Sequence, residues 1–256
     1  MLELFKKIWQ TGTVTERDVY QNISPRYKGM VEADTSSCSK CGECVRCCPT
    51  QAITITDKIT INHLKCVYCG ACLKHCGNKA LLQSNKIYNI LEQEQEFKAD
   101  LLKQKIKKIM GGSLHIRHVD TGSCNACDFE MSMLSNPFYD VSRWGINFVA
   151  SPRHADLLMI TGGVTENLLG ALTKTYEATP NPKIVMAVGS CGISGGVIGK
   201  TYANIGAVYK VVPVDVVVPG CPPRPQALLE GILLGLLKYE EKIKRGGTVE
   251  SGTTTI

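Results

Sequence analysis

The stretch Ser123-Cys124-Asn125-Ala126-Cys127-Asp128-Phe129-Glu130-Met131 decides how this chain of 256 residues folds. It follows the run His115-Ile116-Arg117-His118-Val119, which predicts a strand, and it opens onto a segment that predicts a helix. Two later cysteines, Cys191 and Cys221, also come directly after strand-like runs. Because the carboxyl ends of parallel strands meet at one edge of an open α/β sheet, these loops would bring four thiols together. We predict one [4Fe-4S] cluster there, held by thiol set 3: Cys124, Cys127, Cys191 and Cys221.

Strand-like and helix-like segments alternate across residues 113–242. The predicted strands are His115–Val119, Ile146–Ala150, Asp156–Thr161, Lys183–Val188 and Val214–Val218. The predicted helices are Asp128–Leu134, Glu166–Ala178 and Pro223–Tyr239. This alternation predicts one α/β domain with a mostly parallel, flavodoxin-like sheet. The glycines at Gly162-Gly163 and from Gly192 to Gly199 match no phosphate-binding motif, so we expect them to give backbone room near a cluster or a subunit boundary.

Residues 38–84 carry an internal cysteine repeat. The copies are Cys38-x-x-Cys41-x-x-Cys44-x-x-x-Cys48-Pro49 and Cys66-x-x-Cys69-x-x-Cys72-x-x-x-Cys76-Gly77. In this spacing three cysteines surround one cluster and the fourth reaches the other. We therefore predict two [4Fe-4S] clusters, held by thiol set 1 (Cys38, Cys41, Cys44, Cys76) and thiol set 2 (Cys66, Cys69, Cys72, Cys48). Alternating isoleucines between the copies predict a small hairpin: Ile53, Ile55, Ile59 and Ile61.

This repeat resembles the bacterial two-cluster ferredoxin module, and so predicts an α+β domain, with Gly77 in place of the usual second proline. Zinc is the alternative metal, but zinc sites place two cysteine pairs a loop apart, whereas three cysteines run consecutively in each copy here. Cys47, the thirteenth cysteine, belongs to neither set, and we expect a free buried thiol. His63 and His75 lie near the clusters in sequence, and we expect both to be structural because the ligand sets are complete without them.

Composition excludes several classes of protein. The net charge of +6, without interleaved aromatic and basic residues, gives no support for nucleic-acid binding. Thirteen cysteines with C-x-x-C spacing indicate metal in a reducing compartment rather than disulfides. Residues 1–10 show no export signal, and the apolar run Gly231–Leu237 is shorter than the roughly 20 residues of a membrane span. We therefore expect a soluble, cytoplasmic chain whose membrane association is peripheral.

The remaining segments flank these domains. Residues 1–37 begin with Leu2, Phe5, Ile8 and Trp9 on one predicted helical face, which either docks on a membrane-embedded partner or lipid surface or packs on the chain itself. Residues 85–112 form a linker with an amphipathic basic helix, which either lies against a partner or acidic surface or simply exposes its lysines. Residues 243–256 form a flexible tail.

Several motifs together resemble one family, over roughly residues 101–240. They are Cys124-x-x-Cys127, Gly189-Ser190-Cys191-Gly192, Pro219-Gly220-Cys221-Pro222-Pro223, Arg143-Trp144-Gly145 and Ser151-Pro152-Arg153-His154-Ala155-Asp156. This pattern resembles the small subunit of [NiFe] hydrogenases and the related cluster-bearing subunit of respiratory complex I. The complex I subunit typically has two adjacent cysteines at the first position, whereas Asn125-Ala126 separates them here, which favours the hydrogenase branch.

Among hydrogenases, the chain resembles the membrane-bound, energy-converting group that includes formate hydrogenlyase, Ech and CO-induced hydrogenases. The ferredoxin-like subunit of that group is usually a separate chain, and its fusion to the N-terminus here is a departure. The resemblance implies a large partner subunit with the nickel–iron site, membrane-embedded partner subunits on the inner face of the membrane, and a low-potential donor. That donor would be a ferredoxin, a formate dehydrogenase module or a CO dehydrogenase module. The chain would relay single electrons through three [4Fe-4S] clusters, with no catalytic residue of its own.

Four other side chains are candidates near the clusters. Glu130 follows Cys127 by three residues, and it either stabilises the helix N-terminus or handles protons at the interface. A cation near a cluster would raise its potential, so Arg143, Arg153 and His154 are candidates for tuning it, unless they are salt-bridged surface residues.

Two other functions remain open. One is a cluster-bearing subunit of a complex I-like oxidoreductase that uses a quinone or methanophenazine, with no hydrogen chemistry. The other is a free-standing ferredoxin-like carrier with an unrelated α/β domain, which would be a stable monomer.

Overall fold

The N-terminal part of the chain consists of short helices and two small antiparallel sheets. The computed structural model describes residues 2–12, 15, 19, 23–24, 26–88, 90 and 99–244. The first elements are α1 (Leu2–Thr11), β1 (Val31–Ala33), α2 (Glu43–Arg46), β2 (Ile53–Ile55), β3 (Ile59–Ile61), α3 (Ala71–His75) and β4 (Leu81–Gln83). Strands β2 and β3 pair antiparallel, which confirms the predicted hairpin, and β1 pairs with β4.

The cysteine repeat is also a repeat of backbone conformation. Each copy has a residue in the left-handed region at the third position of its first C-x-x-C, Lys40 (φ 56°) and Tyr68 (φ 51°). Gly42 and Gly70 follow in the same region, with φ of 79° and 71°, directly before α2 and α3. Cys44 and Cys72 point into a small core that they share with residues of β1, β2 and β4. The two cysteine loops therefore fold alike around one core.

A five-stranded parallel sheet forms the centre of the rest of the chain. Its elements, with those around it, are α4 (Ala99–Met110), β5 (Leu114–Asp120), α5 (Ala126–Met133), β6 (Ile146–Phe148), β7 (Leu157–Thr161), β8 (Val164–Thr165), α6 (Glu166–Ala178), β9 (Ile184–Val188), α7 (Gly189–Ser194), β10 (Asn204–Gly206), β11 (Val216–Val218) and α8 (Pro225–Lys244). The sheet order is β11-β9-β7-β5-β6, and every pair is parallel. This is the flavodoxin-like order, which confirms the predicted fold.

Alternate residues of the central strands face opposite layers of helices. On one face, Met159 and Met186 pack with α4, α5 and α8, and on the other, Leu158 and Val185 pack with α6 and α7. Every residue of β7 and β9 is buried, as expected of parallel strands covered on both sides. Cys191, which follows β9 directly, is therefore attached to the fully buried centre of the sheet.

Two elements differ from the sequence-based expectation, and the contacts of a third, α4, agree with one of its two alternatives. Helix α5 begins at Ala126, so Cys127 lies in its first turn instead of before it. Helix α7 carries Cys191, although two glycines within its six residues favour a loop by propensity. The apolar residues Leu102 and Ile106 of α4 are buried against the chain's own core, and Lys105 pairs with Glu240 of α8 at 3.1 Å. The apolar face of α4 is thus used within the chain.

Helix α1 is different, because none of its residues is buried. Its apolar side chains Phe5 and Trp9 are 67% and 90% exposed. No helix in the described ranges is both long and apolar enough to cross a bilayer. The acidic residues Glu92, Glu94 and Glu96 of the predicted linker, and the predicted tail from residue 245 onward, lie outside the described residues.

Candidate iron–sulfur centres

Thiol set 3 gathers at the carboxyl edge of the parallel sheet. Cys124 lies in the loop between β5 and α5, and Cys127 lies in the first turn of α5. Cys191 lies on α7 directly after β9, and Cys221 follows β11. Burial, followed by the neighbouring thiols of Cys221, Cys191 and Cys124, raises the pKa of Cys127. The four side chains are therefore close enough to interact electrostatically, as the topology predicts.

Glycines let the backbone pass close to these sulfurs. A Cβ atom on Gly189 would stand 2.6 Å from the Cys127 sulfur, and one on Gly196 would stand 2.7 Å from the Cys191 sulfur. Gly162, at the end of β7, packs against the backbone of Ser123, and a side chain there would overlap it. All three glycines have positive φ. This confirms the expectation that the glycines give backbone room near the thiols.

A partly buried polar network anchors the Cys124–Cys127 loop to two strands. The Asp128 carboxylate accepts hydrogen bonds from Thr161 of β7 at 2.7 Å and from Ser123, and it lies 2.8 Å from His118 Nε2 of β5. Asp120 accepts the backbone N–H groups of Gly122 and Ser123 at 2.9 and 2.8 Å. Burial lowers the pKa of His118 in spite of Asp128, so the ring favours its neutral form. These bonds hold the Cys124–Cys127 loop in place.

The other two thiol sets each line a cavity. Thiol set 1 lines a cavity of about 290 Å³ together with His75, and thiol set 2 lines a narrower one of about 20 Å³. All four predicted members of each set line the cavity concerned, including the fourth cysteine that comes from the other copy of the repeat. Cys47 lines neither, and its thiol lies 3.5 Å from the carbonyl oxygen of Cys44. The structure thus brings the predicted residues together in the predicted groups.

The chemistry of these donors fits an iron–sulfur cluster. Burial, and then the thiols of Cys66, Cys47 and Cys69, raise the pKa of Cys72 to about 12. Crowded thiolates repel one another unless a cation lies between them, and bound iron supplies that positive charge. The cavity volume supports a bound cluster at set 1. At set 2 the cavity is much smaller, and the support there comes from the four thiols. No group of three or more His, Cys, Asp or Glu side chains in the described part of the chain is arranged around a single metal ion.

Backbone N–H groups point at three of the sulfurs. Lys40 and Tyr68 donate to the sulfurs of Cys38 and Cys66, each at 3.4 Å, in equivalent positions of the repeat. Ala52 donates to the sulfur of Cys48 at 3.2 Å. Such bonds stabilise negative charge on sulfur and so help to set the potential of a bound cluster.

Thiol sets 2 and 3 are neighbours. Burial raises the pKa of Cys221 to about 11, with further contributions from its own set and then from Cys66 and Cys69 of set 2. The Ser190 hydroxyl lies 2.7 Å from the carbonyl oxygen of Cys66. Tyr68 fills the space beside them, and burial, together with Cys66 and Cys221, raises its pKa. An electron path from the N-terminal thiols to the α/β domain would therefore pass through set 2.

Exposed apolar side chains flank thiol set 3. Phe129, on the turn of α5 that carries Cys127, is 65% exposed. Val197 and Ile198 follow Gly196, which packs on Cys191, and Tyr202 is 99% exposed. Cys124 and Cys221 are exposed as well. Clustered exposed apolar residues are typical of a protein-binding surface.

The other candidate residues divide into two groups. Glu130 lies near Arg224, the half-buried Tyr27 and the buried Tyr139. Burial raises the pKa of Glu130, and Arg224 opposes the shift. Arg143 precedes β6, and Arg153 and His154 precede β7, so all three lie at the amino edge of the sheet, opposite thiol set 3. Arg143 stacks 4.4 Å from the Trp144 ring there. The structure does not bring Arg143, Arg153 and His154 to the thiols, which argues against a role in tuning the cluster.

The two histidines near the cysteine loops make ordinary structural contacts. His63 stacks on Tyr88, with 5.5 Å between the ring centroids, and burial lowers its pKa. Nδ1 of His75 lies 2.9 Å from the carbonyl oxygen of Ala71, one turn earlier on α3. Both contacts agree with the structural role expected of these residues.

Sequence reasoning did not identify Asp128, His118 or Ser190 as parts of the site. An acid directly after Cys127 at a helix N-terminus was a local signal for Asp128. His118 and Ser190 carry no such signal, because their partners lie 43 and 124 residues away, at Thr161 and Cys66.

Two family models match the chain. One describes the 20 kDa subunit of NADH ubiquinone oxidoreductase and matches residues 124–234. The other describes a 4Fe-4S dicluster domain and matches residues 30–77. The first match contains all four thiols of set 3, and the second contains all eight thiols of sets 1 and 2.

Two curated proteins illustrate the relatives of this chain. A probable membrane-bound hydrogenase subunit (mbhJ) of Pyrococcus furiosus is 45% identical over 145 residues, which are 57% of this chain and 87% of that protein. Formate hydrogenlyase subunit 7 of Escherichia coli is 42% identical over 159 residues, 62% of this chain, and the match spans only 60% of that protein.

Among solved structures, the chain is similar to a subunit of a membrane-bound sulfane sulfur reductase, an archaeal respiratory membrane complex. The two are 40% identical with a TM-score of 0.44, and the match covers 59% of this chain and 78% of that one.

Proposed function

We propose that this chain, which belongs to the family of small subunits of membrane-bound, complex I-like hydrogenases, relays electrons. The electrons would pass to or from the nickel–iron site of a large partner subunit. The chain is an electron-transfer subunit of an oxidoreductase complex and contains an iron–sulfur domain. The finer proposal is that three [4Fe-4S] clusters, at thiol sets 1, 2 and 3, serve reversible proton reduction to hydrogen. Bound clusters of this kind supply one-electron redox chemistry at low potential.

One observation carries this proposal: the three thiol sets form a series. Set 1 includes the exposed Cys41, set 2 lies in contact range of set 3, and set 3 is flanked by the exposed Phe129 and Ile198. A relay needs an accessible entry, adjacent intermediate stations and an exit that faces a partner. The order set 1, set 2, set 3 supplies all three.

The partner subunit would cover the apolar surface around thiol set 3. We propose that surface as the docking site of the hydrogenase large subunit, because Phe129 is two residues from Cys127 and Val197 and Ile198 follow Gly196, which packs on Cys191. The Asp128 network would hold the Cys124–Cys127 loop still beneath it. Glu130, half-buried on α5 and near Arg224, is a candidate for proton handling at this interface.

The remaining segments would connect the chain to the membrane and to the electron donor. We propose that residues 1–37 dock the chain on membrane-embedded subunits, that residues 38–84 and 113–242 are the two cluster-bearing domains, and that 85–112 links them. The exposed apolar side chains of α1 support the docking role. The chain would then sit peripherally at the inner face of the membrane. The donor would be a low-potential ferredoxin, or a formate or CO dehydrogenase module, that reaches set 1.

Metal analysis tests the number of clusters. The purified chain should contain about twelve iron and twelve sulfide, as expected for three [4Fe-4S] clusters. Stoichiometric zinc without charge-transfer absorption would contradict the proposal.

The variant Cys191→Ser tests the exit role of thiol set 3. It should abolish hydrogen turnover by the complex, while the reduced spectroscopic signals of sets 1 and 2 remain. Retained turnover would contradict the role proposed for set 3.

A second function has an observation of its own in favour. The match to the 20 kDa subunit of NADH ubiquinone oxidoreductase fits a complex I-like enzyme that reduces a quinone or methanophenazine without hydrogen chemistry. Hydrogen evolution by the intact complex with a reduced low-potential donor separates the two. Its absence, with quinone reduction retained, would favour this alternative.

A further inference from the structure

Ser190 occupies the junction between thiol sets 2 and 3. It is 1% exposed and directly precedes Cys191 on α7. Its hydroxyl lies 2.7 Å from the carbonyl oxygen of Cys66 and 3.1 Å from that of Gly220, the residue before Cys221. Ser190 therefore contacts the Cys66 loop of set 2 and the residue before Cys221 of set 3, and it is itself the neighbour of Cys191 of set 3.

The two sides of this junction depend on Ser190 to different degrees. On the set 3 side, the backbone N–H of Ser190 also donates to the Gly220 carbonyl, at 2.9 Å, so that contact survives without the hydroxyl. On the set 2 side, the hydroxyl makes the bond to Cys66. Because both carbonyls are acceptors and the hydroxyl has one proton, the shorter bond to Cys66 is the one that the side chain chiefly serves.

We propose that Ser190 is a positioning residue that holds the Cys66–Cys69 loop against thiol set 3 and thereby governs electron transfer between the two sets. This inference rests on the proposed function and deepens it. Electron transfer depends steeply on the gap between donor and acceptor, so a bond that fixes two ligand loops also fixes that gap. Burial of Ser190 strengthens the bond, because the hydroxyl is shielded from water.

The test uses the full chain with its clusters and the variant Ser190→Ala. The matched control is Ser194→Ala, one turn later on α7, whose hydroxyl donates at 2.9 Å to the Ser190 carbonyl within the helix and does not bond to Cys66. Three quantities are measured: iron and sulfide content, amide exchange of residues 66–69, and the magnetic interaction between the reduced centres of sets 2 and 3.

Ser190→Ala should keep the full iron and sulfide content. Protection of the amides in residues 66–69 should decrease about fivefold, the factor expected for one lost hydrogen bond. The magnetic splitting between sets 2 and 3 should weaken, while the control keeps both at wild-type values.

Two results would overturn the inference. One is unchanged exchange and splitting in Ser190→Ala, because the hydroxyl would then not hold the junction. The other is loss of the set 3 cluster, because Ser190 would then support that set alone. If Ser190→Ala shows the weakened splitting but the wild-type complex never turns over hydrogen, the proposed function is contradicted and the role of Ser190 is still supported.

Discussion

At the scale of single residues, the centre at the sheet edge depends on atoms that lie behind the thiols. Glycines let the loops after β7 and β9 pass within van der Waals distance of Ser123 and Cys127. The carboxylate of Asp128 then ties the Cys124 loop to Thr161 and His118. The thiols themselves could be read from the sequence by their spacing, whereas these supports could not, because each contact joins residues that are far apart in the chain.

Gly162→Ala tests the close approach of two loops. Its φ of 82° disfavours alanine, and the new Cβ would overlap the backbone of Ser123. We expect the free energy of unfolding to fall by about 1–3 kcal/mol. Gly170→Ala is the control: Gly170 lies inside α6 with nothing within 4 Å of a new Cβ, so stability should rise by about 0.5–1 kcal/mol. Denaturant unfolding measures both, and equal effects would contradict the argument.

His118→Gln tests the pH dependence of the polar network. Burial lowers the pKa of His118, so the folded chain binds this proton less readily than the unfolded chain does. Stability from this residue is therefore present above the ordinary pKa of about 6.5 and is lost as the pH falls below it. The melting temperature of the wild type should fall between pH 7.5 and pH 5.5 by more than that of the variant. Parallel pH profiles would refute this, and exposed His75→Gln controls for loss of a histidine.

Cys47→Ser tests the assignment of the ligand sets. Because Cys47 lines neither cavity, its loss should leave the iron and sulfide content unchanged. Cys44→Ser, three residues earlier in the same helical turn, should lower both by about one third, since one of three clusters loses a ligand. Loss of a cluster in Cys47→Ser would mean that the ligand sets are assigned wrongly.

At the scale of elements, the sequence predicted what local pattern controls. Continuous apolar runs predicted the buried strands β7 and β9, and their parallel order followed from the intervening helices. Helix α7 was not predicted, because Gly189 and Gly192 have low helix propensity. Its packing beneath the loop of Gly196 and against Val208 overrides that preference, as tertiary contacts often do.

The double variant Phe5→Ser, Trp9→Ser tests the docking role of α1. Both side chains are exposed, so the fold should be unchanged by circular dichroism. The share of the chain recovered with the membrane fraction should fall severalfold, because the apolar face of α1 is lost. Leu82→Ser, which removes an apolar side chain that is 62% exposed elsewhere, is the control. Equal recovery of both variants would rule out a special role for α1.

At the scale of the whole molecule, the α/β domain makes polar contacts with the cysteine-repeat region and with the segments on either side of that region. Ser190 reaches Cys66, and Glu230 of α8 accepts the backbone N–H of Ile90 at 3.2 Å. Gln226 donates to the carbonyl oxygen of Val19 at 2.9 Å. The cysteine spacing predicted the three sets, but no local pattern could place set 2 beside set 3, because that placement depends on contacts across more than a hundred residues.

Glu230→Ala tests whether these regions unfold as one unit. It would leave the buried N–H of Ile90 without this acceptor, at a cost of about 1–3 kcal/mol. Calorimetry should show one transition for the wild type, and an earlier or split transition for the variant. The control is Glu177→Ala on the exposed side of α6, which should change stability by less than about 0.5 kcal/mol. A wild type that already unfolds in two steps would contradict the prediction.

The duplicated cysteine loops share one conformation but face different surroundings. Lys40 and Tyr68 hold the same place in the two copies, with nearly the same φ, and donate the same hydrogen bond to sulfur. Lys40 faces solvent, whereas Tyr68 is enclosed between Cys66 and the α/β domain. One backbone conformation therefore serves two surroundings: the first copy makes its N–H to sulfur bond beside solvent, and the second makes the same bond beside the α/β domain.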